Sequence, residues 1–342
     1  MTNDEGMTKP EVCGERPAIP HSSSGIRHCP ALIPACEKRP YQFTTRRMNR
    51  FATILSLVLA FLVCAPETFA ATKKTKKTAP APERARKAEP EEAPAPEDTG
   101  RVPAVTAGSV IVVDASTGQV LHEVNADRER PVASTQKLFT ALLVAEDGDL
   151  NAKVRVAASD TWVEPSMLYI KPGNVYSRID FLNILLVHSM NDVARALARD
   201  NAGSVEGFAR KMNARAAQLG MRNSHFVNPN GLPAPGQYST ARDMAKVAMV
   251  AYRNRTIREI VCQKAIEWEY NDGRTRVFET TNKVLKTFAA CNGMKTGYTE
   301  AAGHCLISSA TRGGRHIIVV ALGDSKNIWI DSYRLLNWGL SS

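Results

Sequence analysis

The hydrophobic period of this chain switches twice between residues 109 and 340, and that restricts the folds open to it. The stretch "SVIVVDASTGQVLHEVNA", residues 109–126, is a β-branched run, a turn at Ser116-Thr117-Gly118-Gln119 and a second apolar run, the pattern of a hairpin. Apolar residues then recur at helical spacing over residues 134–146, 180–188, 192–200, 205–219 and 240–252. Strand-like runs return in "GMKTGYT", "GHCLISSAT" and "RHIIVVALGD", and a last amphipathic helix falls around "WIDSYRLLNWGL". Strands at both ends with helices between them predict an α+β unit, one antiparallel sheet built from both chain ends and flanked by helices.

Everything ahead of that unit has a different character. Residues 1–47 show neither periodicity nor core content. Residues 48–70 carry a basic start, about fifteen apolar residues and a small-residue exit at Thr68 and Ala70, the design of an export signal. Translation is therefore expected to begin at Met48, with the first 47 residues a mis-assigned or disordered extension. Left uncleaved, the signal would be a membrane anchor; Cys64 follows Val63 rather than a small residue, which argues against a lipoprotein site. Residues 71–105, rich in Ala, Pro, Lys and Glu, lack the large apolar side chains a core needs and read as a disordered linker. Its prolines give a reach of about 90 Å at ~3.1 Å per residue. The folded unit is expected over residues 106–342, and the sequence ends soon after the last helix, so any membrane attachment is expected from the N-terminal signal alone.

The net charge of +10 raises the question of nucleic acid. The obvious basic run, "KKTKK", lies in the linker and has no aromatic residues interleaved for stacking on bases, so no nucleic-acid partner is expected. Beyond the leader and signal three cysteines remain, Cys262, Cys291 and Cys305, with no CxxC spacing or Cys/His cluster to hold zinc. They read as small packed side chains, with one disulfide among them open in an oxidising compartment.

Three short stretches carry chemistry. Ser134 and Lys137 lie one turn apart where a helical pattern begins, so both can project from one face. A serine there either caps the helix or acts as a nucleophile, and the lysine can serve as its base only if burial beside another cation strips its proton. In "HSMNDVA", Ser189 and Asn191 sit between two helical patterns. They are either a turn ahead of Asp192 as helix cap, or a proton relay to a leaving amine together with an amide that holds Lys137 and a substrate carbonyl. In "NGMKTGYT", Lys295 and Thr296 offer a cation and a hydroxyl to a carboxylate, and Gly297 on a strand suggests that another backbone approaches closely.

In order, Ser-x-x-Lys at a helix start, Ser-x-Asn at a helical junction and Lys-Thr-Gly on a strand are the motif set of penicillin-binding proteins and serine β-lactamases. The chain resembles most closely the D-alanyl-D-alanine carboxypeptidases of serine peptidase family S11, low-molecular-mass penicillin-binding proteins. Segments such as "MLYIKPG", "NSHFVNPNGLP", "YSTARDMA" and "TNKVL" extend the likeness over residues 107–340. The resemblance implies a β-lactamase/DD-peptidase-like fold. It implies that Ser134 is acylated by the penultimate D-Ala carbonyl, Lys137 takes its proton, and Ser189 with Asn191 completes the relay. It further implies that Lys295, Thr296, Gly297 and Tyr298 bind substrate, with the backbone N–H groups of Ser134 and Tyr298 as oxyanion hole and no metal or other cofactor.

The implied substrate is the pentapeptide stem of peptidoglycan, with β-lactams as inhibitors. A D,D-endopeptidase cleaving cross-linked muropeptides would use the same residues and is the alternative. A β-lactamase would need a group to deacylate it, and no Glu-x-x-Leu-Asn lies between Ser189 and Lys295. An inactive wall-binding module would be free to lose Ser134 or Lys137, and both are present.

Overall fold

The computed structural model describes residues 100–342. The expectations for residues 1–47, for the signal and for the linker as far as residue 99 lie outside the described residues. Strands β1 (Ser109–Asp114) and β2 (Val120–Val124) form the expected hairpin. The chain then runs through α1 (Lys137–Glu146), the short strands β3 (Lys153–Arg155) and β4 (Val175–Ser177), and α2 (Arg178–His188). Next come α3 (Asn191–Ala202), α4 (Val205–Gln218), α5 (Ala241–Arg253) and α6 (Arg255–Val261). The remainder is a hairpin of β5 (Ala265–Glu269) and β6 (Thr275–Glu279), then α7 (Lys283–Thr287), β7 (Cys291–Thr299), β8 (Gly303–Arg312), β9 (Arg315–Leu322) and α8 (Ile328–Ser341).

β1 pairs on its free side with β9, from Ser109 opposite Leu322 to Asp114 opposite Ile317. The result is a five-stranded sheet in the order β2-β1-β9-β8-β7, antiparallel throughout. β9 is apolar at nearly every position because both of its faces are covered, by α8 on one side and α5 on the other. Ile317, Val319 and Ala321 join Val110, Val112 and Leu306 beneath Leu335 and Leu336 of α8. Each of the valine, leucine and isoleucine side chains, fully withdrawn from water, contributes about 1.5–3 kcal/mol.

The helices form the other half of the domain around α2, which buries Phe181, Leu182, Ile184, Leu185, Leu186 and Val187. A reciprocal cap starts it: Asp180 N donates to Ser177 Oγ at 3.2 Å and Ser177 N to the Asp180 carboxylate at 3.1 Å. Single caps from Ser204 and Thr240 start α4 and α5. Among the described residues no helix is long and apolar enough to cross a membrane.

The structure departs from the sequence-based expectations in two places. The helix expected from residue 134 is preceded by a tight 3-10 turn, Ala133–Gln136, and becomes α-helical only at Lys137; Ala133 has a φ of 47°. The ribbons β3–β4 and β5–β6 and the helices α6 and α7 were not anticipated, being three to seven residues long with too few periods to read. Cys291 and Cys305 are buried in the sheet, as expected of small packed side chains, and burial pushes the Cys305 thiol up to about 12.

Candidate active site

The three motifs meet where the 3-10 turn packs on the edge strand β7 near the junction of α2 with α3. Two glycines let backbones press on the turn. A methyl group at Gly297 would fall 2.8 Å from Ser134 N and 2.9 Å from Thr135 N, so only a residue without a side chain fits there. On the opposite side Gly231, at φ +80°, leaves room for the Ala133 carbonyl, which a Cβ would meet at 2.0 Å. Ser134 is thereby held between β7 and the turn carrying Gly231 instead of acting as a helix cap, for no side-chain cap bond is made at the start of the 3-10 turn or of α1.

Lys137 is wholly buried, and its Nζ lies 2.7 Å from Ser134 Oγ and donates to the Asn230 carbonyl at 2.8 Å. Loss of hydration holds its pKa well below the ordinary lysine value; the nearby Lys295 cation lowers it further and Asp192 partly offsets both. Lys295 is also fully buried, donates to the Thr296 carbonyl at 2.9 Å, and is brought down to about 7 by burial. Thr296 Oγ1 lies 2.6 Å from Thr281 Oγ1. Tyr298, next but one along β7, is exposed and packs against His304.

Ser189 ends α2 in the left-handed region at φ 75°, an unusual conformation for a serine and one that concentrates at functional sites. Asn191 opens α3: its N donates to Ser166 O at 2.8 Å and its Nδ2 to Pro165 O at 2.6 Å. Its Oδ1 is buried with no hydrogen-bond partner among the described residues. No hydrogen bond among the described residues joins Ser189 or Asn191 to Lys137; the lysine's second partner is the Asn230 carbonyl instead. Asp192 does not fill the N-cap position, which falls to Met190. Its buried carboxylate accepts from Leu168 N at 3.0 Å and Ile170 N at 3.4 Å, pinning the 165–170 loop over the start of α3. Burial raises its pKa, against the pull of those amides.

The turn carrying Asn230 escaped the sequence reading as a functional element. Its signal was the run Asn228-Pro229-Asn230-Gly231, in which Asn228 Oδ1 accepts from Asn230 N at 3.2 Å and Gly231 N at 2.9 Å. Thr140 Oγ1 ties the same turn to α1 through Pro229 O at 2.6 Å. The assembled site sets a hydroxyl against a buried amine, with a cation and a hydroxyl on the adjoining strand. Such a set can transfer an acyl group to Ser134 and receive an anionic substrate end.

A family model described as D-alanyl-D-alanine carboxypeptidase, peptidase S11, matches residues 96–326. The D-alanyl-D-alanine carboxypeptidase DacF of Bacillus subtilis is 32% identical over 224 residues, covering 64% of this chain and 58% of its own. DacC of Escherichia coli, with the same description, is 35% identical over 263 residues, covering 72% and 64%. The chain thus spans about three fifths of the length of these curated relatives. Among solved structures, a penicillin-binding protein homologue from Mycobacterium tuberculosis superposes with a TM-score of 0.68 at 31% identity, over 70% of this chain and 94% of that one. The DD-transpeptidase of Streptomyces K15 does so with a TM-score of 0.66 at 30% identity, over 71% and 100%.

Proposed function

Because the chain belongs to the D-alanyl-D-alanine carboxypeptidase family, peptidase S11, we propose that it is a serine-type D-Ala-D-Ala carboxypeptidase acting on peptidoglycan stem peptides through an acyl-enzyme. The observation that carries the reading is the buried Lys137 amine 2.7 Å from Ser134 Oγ, with its pKa driven down. As Ser134 Oγ attacks the penultimate D-Ala carbonyl, its proton passes to the neutral Lys137 amine. The oxyanion is held by the N–H groups of Ser134 and Tyr298; each such donor typically supplies ~2.7–4 kcal/mol. The C–N bond then breaks, and the leaving D-Ala amine takes a proton relayed through Ser189. Asn191 Oδ1, without a partner in its buried position, is available to a substrate N–H. Lys295 and Thr296 receive the terminal carboxylate, with Gly297 and Tyr298 lining the same strand. Water then cleaves the ester and frees Ser134.

The signal-like residues 48–70 support export, with action in the periplasm or an equivalent extracytoplasmic space and a tether, if the signal is retained, through the linker. Benzylpenicillin, as a mimic of D-Ala-D-Ala, is expected to leave a long-lived adduct on Ser134, found by intact mass and peptide mapping. Adduct on another serine, or none on folded protein, overturns the nucleophile. Purified pentapeptides are expected to release free D-Ala; conversion of cross-linked dimers to monomers with no free D-Ala would move the activity to the endopeptidase.

A further inference from the structure

Residues 279–282, between β6 and α7, run as a strap from the end of α2 to β7. At one end His188 Nδ1 lies 2.8 Å from Glu279 O, and Thr281 N donates to Val187 O at 3.3 Å. At the other, Asn282 caps α7 by accepting from Leu285 N at 3.2 Å, while its own N donates to Thr280 Oγ1 at 3.2 Å. The backbone of Thr281 is therefore fixed on both sides, and its hydroxyl lies 2.6 Å from Thr296 Oγ1 in the site. At that distance one hydroxyl donates and the other accepts.

We infer that Thr281 is a positioning residue for substrate binding: it donates to Thr296 Oγ1, which leaves the Thr296 hydrogen aimed at the substrate's terminal carboxylate. The inference rests on the carboxylate role given to Thr296 above. A threonine hydroxyl rotates freely unless something sets it, and a carboxylate can only accept. Thr296 must therefore be the donor toward substrate, and its own oxygen must be the acceptor of another hydrogen. Thr281 supplies that hydrogen from a segment anchored to α2, so the side chain that receives the substrate's end is set by the wall that carries Ser189.

The test compares Thr281→Val, which keeps the shape and removes the hydroxyl, with Thr281→Ser, which keeps the hydroxyl. Acylation is followed by mass for benzylpenicillin and for its methyl ester, which lacks the carboxylate. The rate constant for the acid is expected to fall about tenfold in Thr281→Val and to return within about twofold in Thr281→Ser, with the ester rate unchanged in both. Equal losses for acid and ester, or no loss for the acid, overturn the inference. Three-bond couplings between Hβ and the hydroxyl proton of Thr296 in the ligand-free protein give a second reading that needs no reaction. A single Cβ–Oγ1 torsion in wild type and Thr281→Ser that becomes averaged in Thr281→Val supports the positioning, and a single torsion in all three refutes it. Wild-type protein that is not acylated at all would remove the functional reading, while the couplings still decide whether Thr281 sets Thr296.

Discussion

Lys137 and Lys295 have the same chemistry and are asked for opposite protonation states. Lys137 must be neutral to accept the serine proton, whereas Lys295 must be charged to attract a carboxylate. Their geometry separates them: Lys137 feels burial and the neighbouring cation, while burial alone brings Lys295 to about 7. For the free protein, kcat/KM or the acylation rate constant should rise with pH as Lys137 loses its proton. It should fall above about pH 7 as Lys295 loses its own, by about tenfold per unit. A guanidinium keeps its proton throughout this range. Lys295→Arg is thus expected to flatten the descending limb, while Lys137→Arg abolishes acylation with the fold intact. A descending limb that persists unchanged in Lys295→Arg would assign it to another group.

Among the elements, the contact of β7 with the 3-10 turn is the one the chemistry tolerates least. A methyl at Gly297 needs space already taken by the amides of Ser134 and Thr135, so the turn or the strand must shift by several tenths of an ångström. Gly297→Ala should slow acylation by about tenfold, toward the ~10²-fold that a full 1 Å misplacement of a reacting group costs. Stopped-flow acylation alongside a melting curve checks this, and a near-normal rate would show that the turn can yield. That close approach was legible in the sequence, because a glycine between Thr296 and Tyr298 has few other reasons to interrupt a strand. Ser134 with Lys137 was legible for a similar reason, since helical spacing alone brings them to one face. Asn230 and Thr281 were not, because one acts through a backbone carbonyl and the other through a neighbour on a different element, neither of which leaves a local pattern. Asp192 misled as a helix cap because the residues it binds, Leu168 and Ile170, belong to a distant loop. The β5–β6 ribbon was missed because only β5 alternates, burying Ile266 and Trp268, while β6 buries Phe278 alone.

For the molecule as a whole, His316 sets an acid limit. It lies on β9 against the Tyr252 ring, with Asp114 and Arg258 as the charges acting on it, and burial lowers its pKa from 6.5 to about 4. The unfolded chain takes up that proton at higher pH than the folded one, so stability increases with pH between about 4 and 6.5. Acidification to pH 4 should therefore remove about 3 kcal/mol through this group. Urea midpoints at pH 7 and 4.5 are expected to differ less in His316→Gln than in wild type; equal differences would leave His316 without a part in acid unfolding. The sheet sets a limit of another kind. Asp331 on α8 accepts from Thr106 N at 3.1 Å across 225 positions of sequence, and β1 closes against β9. β1 thus waits for β9, and closing so long a loop precedes any reward from the contacts it brings. A nascent chain emerging from its N-terminus cannot complete this sheet until β9 has been made. Such an order of events keeps one edge of β1 unpaired for as long as the intervening helices are being made.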